Sequence, residues 1–288
     1  MGPGFKYHIV SISAIFFALT IGLVVGSVFV SPQFANRQQN LIIRLQDTLN
    51  KDVEEKKHEI ARYKECVTTI SPIALRGKLG NNVVAVIQTG DYPEDAVRAS
   101  EAIAIASPQG IVHLTITSAL DRAENELQST LSDLRSRDPN FPATRDGLFQ
   151  SIASILAHGD SLSMPVLPQF EREGLVRLSA EDNYPLPVKF AVVVGGSRSL
   201  DSVRATRVDV PLIRALLKQG IIVVACEGSD SAASDVPSYR TLKLEMSTVD
   251  NVDTDIGRCA LVLAFSGPRG AYGMKPSADR LLPGSPPQ

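Results

Sequence analysis

Chemistry in a chain of 288 residues needs reactive groups at workable spacing, and this sequence offers few candidates. Gly195-Gly196-Ser197 follows the apolar run Lys189–Val194, the place where a phosphate-cradling loop sits after a strand. It lacks both GxGxxG and GxxxxGK[ST], and Ser197 is not in a GxSxG elbow, so the spacing predicts a plain strand–helix turn. Asp250, Asp253 and Asp255 crowd three carboxylates together, but without the spacing of a calcium loop. Helix capping and a solvated loop account for them. His8, His58, His113 and His158 share no metal spacing such as HExxH. His113 falls inside an apolar run and is expected on the core or a face of a strand. His8 stands beside Lys6 and Tyr7 at the edge of a long apolar segment, where amphipathic side chains anchor a membrane interface. Soft thiolate and thioether ligands select copper(I). Cys66, Cys226 and Cys259 contain no CxxC, and Met164, Met246 and Met274 do not cluster. Cys226 and Cys259 are expected as small buried hydrophobes. The residues spell out no catalytic constellation and no cofactor motif, and the chain is expected not to be an enzyme.

Bulk composition narrows the partners. Acidic and basic residues nearly balance, 31 against 29, and tryptophan is absent. Nucleic-acid binding calls for a basic excess or face, and base stacking for more aromatics, so no nucleic-acid partner is expected.

The elements that would position these residues begin after Ser71-Pro72. Asn82–Gln88 and Gly110–Thr117 are short apolar runs, with helical patterns over Pro93–Ala106 and Leu120–Arg135. Strands alternating with helices imply parallel βαβ units. A helix is expected over Leu148–Ala157 and irregular chain over Met164–Pro168. A second α/β stretch starts near Pro187: strand Lys189–Val194, helix Val208–Gln219 stopping at Gly220, strand Ile221–Cys226, and a half-buried strand through Leu242, Leu244 and Met246. Thr254–Phe265 is apolar on all sides. Asp253 or Thr254 as N-cap and Gly267 as stop make it a buried helix. Leu282–Gln288 is Pro-rich and expected to be disordered. No internal repeat of 20–50 residues is evident.

Upstream, Ile9–Val30 is 22 residues without a charge. At about 1.5 Å per residue it spans about 33 Å, which matches a hydrocarbon core of about 30 Å. Its length favours an uncleaved anchor over a cleaved signal peptide. Lys6 and the α-amine place the N-terminus in the cytoplasm, although Arg37, Arg44 and Lys51 on the other flank leave the charge comparison nearly neutral. Ala14, Ala18, Gly22 and Gly26 recur every four residues, a ridge of small side chains along which two helices can approach closely in lipid. Phe34–Ile70 has neither Gly nor Pro. Ile42, Leu45 and Leu49, then Val53, Lys56, Ile60, Tyr63, Val67 and Ile70, follow the three–four spacing of a coiled-coil seam, with a stutter between Leu49 and Val53. A homodimer through the membrane helix and the coiled coil is expected. Cys66 lies near a seam position, where it serves as an inter-chain disulfide or as an inert buried thiol.

The expected fold class is therefore α/β: an N-terminal transmembrane helix, a coiled-coil stalk and a Rossmann-like three-layer α/β domain. The boundaries are a flank at 1–8, the membrane helix at 9–30, the stalk at 34–70, the domain at 80–275 with halves near 80–160 and 187–275, and a Pro-rich tail at 276–288.

Two stretches carry a family resemblance. Phe5-Lys6-Tyr7-His8-Ile9-Val10-Ser11, leading into the Ala/Gly-ridged helix, resembles the start of the bacterial MctB-like family, named for mycobacterial copper transport protein B. Asp250-Asn251-Val252-Asp253-Thr254, then Gly257, Ala260-Leu261-Val262, Gly270-Ala271-Tyr272-Gly273 and Leu281-Leu282-Pro283, is similar to its C-terminal signature. The resemblance implies a role in copper transport or homeostasis, with copper as the metal. Related actinobacterial proteins imply a second role at the division septum, with a cytosolic partner and an influence on peptidoglycan hydrolysis. It places the chain in the cell membrane, single-pass, with its C-terminal domain outside the cytoplasm. An outer-membrane channel does not match these strands, because a barrel needs many alternating segments of about ten residues.

Overall fold

The structure, a computed structural model, describes residues 3–29, 32–159, 166–179 and 187–285. The chain divides into two compact units, Met1–Lys64 and Glu65–Gln288.

The first unit holds helix α1 (Pro3–Phe29) and most of α2 (Pro32–Leu75). Within α1, Lys6–Ser27 is long and apolar enough to cross a membrane, with a mean hydropathy of 2.5. Apolar side chains occupy every side of it: Ile9, Phe16, Phe17, Leu19 and Leu23 are all exposed. A helix apolar all round has no polar face to give to water. Two of its hydroxyls are satisfied internally, Thr20 Oγ1 donating to the Phe16 carbonyl at 2.7 Å and Ser27 Oγ to that of Val24 at 2.8 Å. The expected span runs to Val30, which lies outside the described residues. Along α2 the seam residues are bare: Ile42, Leu45, Leu49, Val53, Ile60 and Tyr63 are each about half exposed or more.

The second unit begins inside α2. The helix runs on past the expected Ile70, through Pro72, to Leu75. Proline lacks the N–H that continues the ladder, and the helix stops within a turn, Arg76 N donating to the Pro72 carbonyl at 3.2 Å. Leu75 and Leu79 are buried in the domain core.

A single seven-stranded sheet organises the rest, in the order β3-β2-β1-β4-β5-β6-β7. Its strands are β1 (Val83–Gln88), β2 (Gly110–Ile116), β3 (Val176–Leu178), β4 (Val188–Val194), β5 (Ile222–Cys226), β6 (Ser247–Val249) and β7 (Ala271–Tyr272). All neighbours are parallel except β3, which runs antiparallel to β2. The two expected halves share this sheet because β1 pairs with β4.

Alternate residues feed two cores. Val84, Val86, Val192, Val194, Val224 and Cys226 face α3 (Pro93–Ile105) and α9 (Asp255–Ala264). Ala85, Ile87, Ala191, Val193, Val223 and Ala225 join the core of α4 (Glu124–Arg137), α5 (Arg145–His158) and α7 (Val210–Lys218). Burial on both faces explains why these strands are continuous Val/Ile/Ala runs. Full burial of each such Val or Ile side chain stabilises the fold by about 1.5–3 kcal/mol. Caps fix two helix starts: Thr144 accepts from Gly147 N at 3.1 Å, and Thr254 from Gly257 N at 3.0 Å.

Several expectations shift. The strand expected through Leu242, Leu244 and Met246 is a turn after α8 (Val236–Thr241), with Lys243 at φ 46 and the strand at Ser247–Val249. The alternation there comes from a chain doubling back, Met246 N donating to the Leu244 carbonyl at 2.8 Å. The helix expected over Leu120–Arg135 is a 3₁₀ turn at Ser118–Asp121 followed by α4, since Thr117 caps the first piece. Of the irregular 164–168 stretch, 164 and 165 lie outside the described residues, and α6 spans Val166–Arg172. The tail is held as far as Ser285: Leu282 packs on the core and Leu282 N donates to Ser285 Oγ at 3.2 Å.

The junction at the end of α2 is directly testable. Leu75→Ala should cost the Glu65–Gln288 unit about 2–5 kcal/mol, whereas Ile73→Ala, at a position 76% exposed, should stay within about 0.5 kcal/mol. Denaturant unfolding of the two variants reads the difference.

Candidate functional site

In an open parallel sheet, ligands bind beyond the carboxyl ends of the strands where the strand order reverses. Here that point lies between β1 and β4. After β1 come Thr89-Gly90-Asp91, and after β4 come Gly195-Gly196-Ser197.

The two strand ends are joined to each other. Thr89 N and Gly90 N both donate to the Val194 carbonyl at 2.9 Å, and Asp91 N donates to that of Gly196 at 2.9 Å. A Cβ on Gly90 would overlap the Gly195 backbone, so this close approach requires glycine. Gly196 has φ +90, and its N–H donates to Asp235 Oδ2 at 2.8 Å. Ser197 Oγ and Arg198 N both donate to Asp91 Oδ2, at 2.8 and 3.2 Å. The amides that a phosphate would need are thus taken by the protein's own carbonyls and carboxylates. The strand–helix connection expected at Gly195-Gly196-Ser197 lies at the closed centre of this edge.

Behind it is a buried acidic cluster. A π-helical turn, Ala205–Asp209, precedes α7 and carries Asp209 to the interior, where Tyr239 Oη donates to its Oδ2. A Cβ on Gly195 would lie 2.6 Å from that tyrosine oxygen and 3.4 Å from both Asp209 and Asp235. Burial, then the neighbouring Asp235 charge, pushes Asp209 up to about 7. Burial also pushes Asp235 up to about 6, against the stabilising Gly196 amide.

Glu227, at the end of β5, is fully buried. It accepts from Asp235 N at 2.7 Å, Val236 N at 3.3 Å and Lys275 Nζ at 2.6 Å, and from Ser234 Oγ.

The C-terminal motif residues form the adjoining cluster. Asp250 follows β6 and is fully buried, which corrects its expected place in a solvated loop. It accepts from Arg240 at 2.9 Å and from Met274 N at 2.7 Å. Tyr272 pairs with Val249, and its carbonyl accepts from Asp250 N at 3.2 Å and Arg240 at 2.9 Å. Gly273 has φ +134, and a Cβ there would overlap the Asp250 carboxylate. Asn251 Nδ2 donates to Thr254 Oγ1 at 3.1 Å, and the Asn251 backbone lies where a Gly257 Cβ would be. Asp253 accepts from Ser229 N and Oγ, each at 2.7 Å, and Asp255 pairs with Arg258. The motif therefore ties β6, α9 and β7 together.

The remaining candidates stay apart. Tyr7 and His8 lie exposed on α1 in the other unit, with Ala14, Ala18, Gly22 and Gly26, and nothing stands within 4 Å of a Cβ placed on either glycine. His113 lines a cavity of about 390 Å³ beside α3, its Nδ1 3.3 Å from Ser100 Oγ. Cys66 is exposed on α2. Cys226 is buried, and that burial holds its thiol well above the usual range, with Asp95 and Glu227 adding to it. Cys259 is partly buried, 2.9 Å from Ser71 Oγ. Met246 is buried in the other core from Cys226, Met274 is exposed, and Met164 lies outside the described residues. Among the described residues, no group of three or more His, Cys, Asp or Glu side chains is placed to hold a metal ion. Among the described residues, Cys66, Cys226, Cys259, Met246 and Met274 are not brought together as a copper(I) site would require. Sequence reasoning missed Asp209, Glu227, Asp235 and Tyr239, which share no motif; Asp235, the N-cap of α8, and Tyr239 within it stand four apart, and Asp209 and Glu227 reach them from other elements.

A family described as copper transport outer membrane protein, MctB, matches residues 4–283. The chain belongs to the MctB family. The match takes in α1, α2 and every strand. No curated protein matches the chain. Within the matched span, Asp250 and Tyr272 are hydrogen-bonded to one another and to Arg240.

The buried acids set a pH dependence. Asp209 and Asp235 bind protons more tightly folded than unfolded, where a carboxyl titrates near its usual 3.8. Their contribution to stability is complete below about pH 4 and is lost as pH rises through about 6–7. Asp209→Asn should flatten the decline between pH 5 and pH 8. It should raise the melting temperature at pH 8 by about 3 °C or more, the shift that about 1 kcal/mol produces in a domain of this size.

Proposed function

We propose that the chain is a single-pass, membrane-anchored envelope protein that serves copper transport or homeostasis by associating with other proteins, not by catalysis or a copper site of its own. The family match over 4–283 carries this reading, because it covers the apolar helix, α2 and the domain together. The α/β domain with its seven-stranded sheet, which we read as Rossmann-like, supports it. Its ligand crevice is filled by Asp91, Asp209, Asp235 and Tyr239, and its cysteines are dispersed. On this reading the N-terminus lies in the cytoplasm and the domain outside it, as Lys6 and the α-amine on the short flank favour. A channel lined by this chain alone is disfavoured: the central strands β1, β4 and β5 are buried on both faces, and a barrel strand alternates between lipid and lumen.

A second reading is a dimeric envelope or septal scaffold, acting with a cytosolic partner and with peptidoglycan hydrolases. The bare seam of α2 favours it, since Ile42, Leu45, Leu49, Val53, Ile60 and Tyr63 would be covered in a coiled coil.

A deletion strain tests the first reading. It should lose copper tolerance and regain it with the full chain, but not with a secreted chain lacking residues 1–30. Wild-type copper tolerance in the deletion strain would overturn it and leave scaffolding as the function.

A further inference from the structure

The seam of α2 is flanked by charges whose placement is informative. Val53 and Ile60 begin successive heptads, and Lys56 and Tyr63 are the inner positions that follow them. Asp52 and Glu59 immediately precede the first pair, whereas Lys57 and Lys64 immediately follow the second. All four flanking residues lie in the helix of the first unit; Asp52, Lys57 and Lys64 are exposed and Glu59 is partly buried.

We infer that α2 pairs with a second copy of itself, parallel and in register, and that Asp52 facing Lys57 of the second copy and Glu59 facing Lys64 of the second copy fix that register. The inference rests on the self-association reading above. In a parallel coiled coil, the residue before one seam position meets the residue five further along the other helix. In register, each acid then meets a lysine, and two-fold symmetry repeats each pair. An antiparallel pair would set Asp52 and Glu59 against acids and the lysines against lysines. A parallel slip of one heptad would keep half of the attractive contacts.

Two in-chain bonds bear on this. Lys56 Nζ donates to Glu59 at 2.7 Å, and Lys57 Nζ to Glu54 at 2.8 Å. The first ties the polar seam residue to the helix edge, leaving the Lys56 side chain 74% exposed. A polar residue within an apolar seam costs stability but discriminates between registers. The second leaves Lys57 able to bridge Glu54 of its own helix and Asp52 of the second copy. Upstream of the stutter the seam residues Ile42, Leu45 and Leu49 are flanked by Leu41, Gln46 and Thr48, which carry no charge, so register falls to the Asp52–Lys64 segment.

The test uses the full chain, made in a membrane with two different affinity tags. Asp52→Lys/Glu59→Lys makes all four flanking positions basic, and Lys57→Glu/Lys64→Glu makes all four acidic. These positions are solvent-facing, so both variants should keep the helical content of the wild type. Wild-type copies should co-isolate. When the two variants are produced together, mixed pairs should exceed like pairs by about tenfold at low salt, and that excess should shrink at about 1 M salt. The anchor helices are the same in every pairing and cannot generate such a preference. Wild-type copies that co-isolate while the variants mix at random would overturn the register assignment alone. Wild-type copies that do not co-isolate would overturn self-association and the register with it.

Discussion

At the carboxyl edge of the sheet, Gly90 and Gly195 let two strand ends meet closely enough to share the Val194 carbonyl. Most of the edge follows from that contact. With the strand ends drawn together, the Gly196 amide turns to Asp235, and Ser197 turns to Asp91. Tyr239 and Asp209 then occupy the space under Gly195. Burying carboxyls there is costly unless they are hydrogen-bonded or protonated, and both solutions are in use. Glu227 and Asp250 are held by amides and by Lys275 or Arg240, while Asp209 and Asp235 stay nearer neutrality. The crevice that a similar sheet would offer to a nucleotide is occupied by side chains of the chain itself.

Legibility in the sequence follows the same physics. Strands buried on both faces announce themselves as apolar runs, so Val83–Gln88, Val188–Val194 and Ile222–Cys226 fall close to where the sequence puts them. Thr254 is visible as the cap of α9 because a short side-chain acceptor precedes an apolar helix. Leu242–Met246 misleads, because a turn with the chain folding back on itself mimics strand alternation. Pro72 is crossed by α2 although it usually ends a helix, since the following turn is anchored by Leu75 and Leu79. The buried acids were illegible for a different reason. Asp209, Asp235 and Tyr239 lie on separate turns of chain, and burial is not written in a single carboxylate.

The C-terminal signature illustrates how conspicuous polar residues can serve architecture. Asp250, Tyr272 and Gly273 interlock around Arg240 and secure the last strand of the sheet. In a family that takes its description from copper transport, those residues contribute packing and hydrogen bonds, and the thiols stand apart. The apolar helix, α2 and the closed edge of the sheet are the features on which the proposal of a partner-positioning membrane protein rests.

The central claim is that the chain itself holds no copper. Metal analysis of the purified full-length protein, after incubation with copper(I) under reducing conditions and removal of loosely bound ion, tests it most directly. The account predicts copper at the level of a control protein with the same number of cysteines. Tightly retained, stoichiometric copper would contradict it.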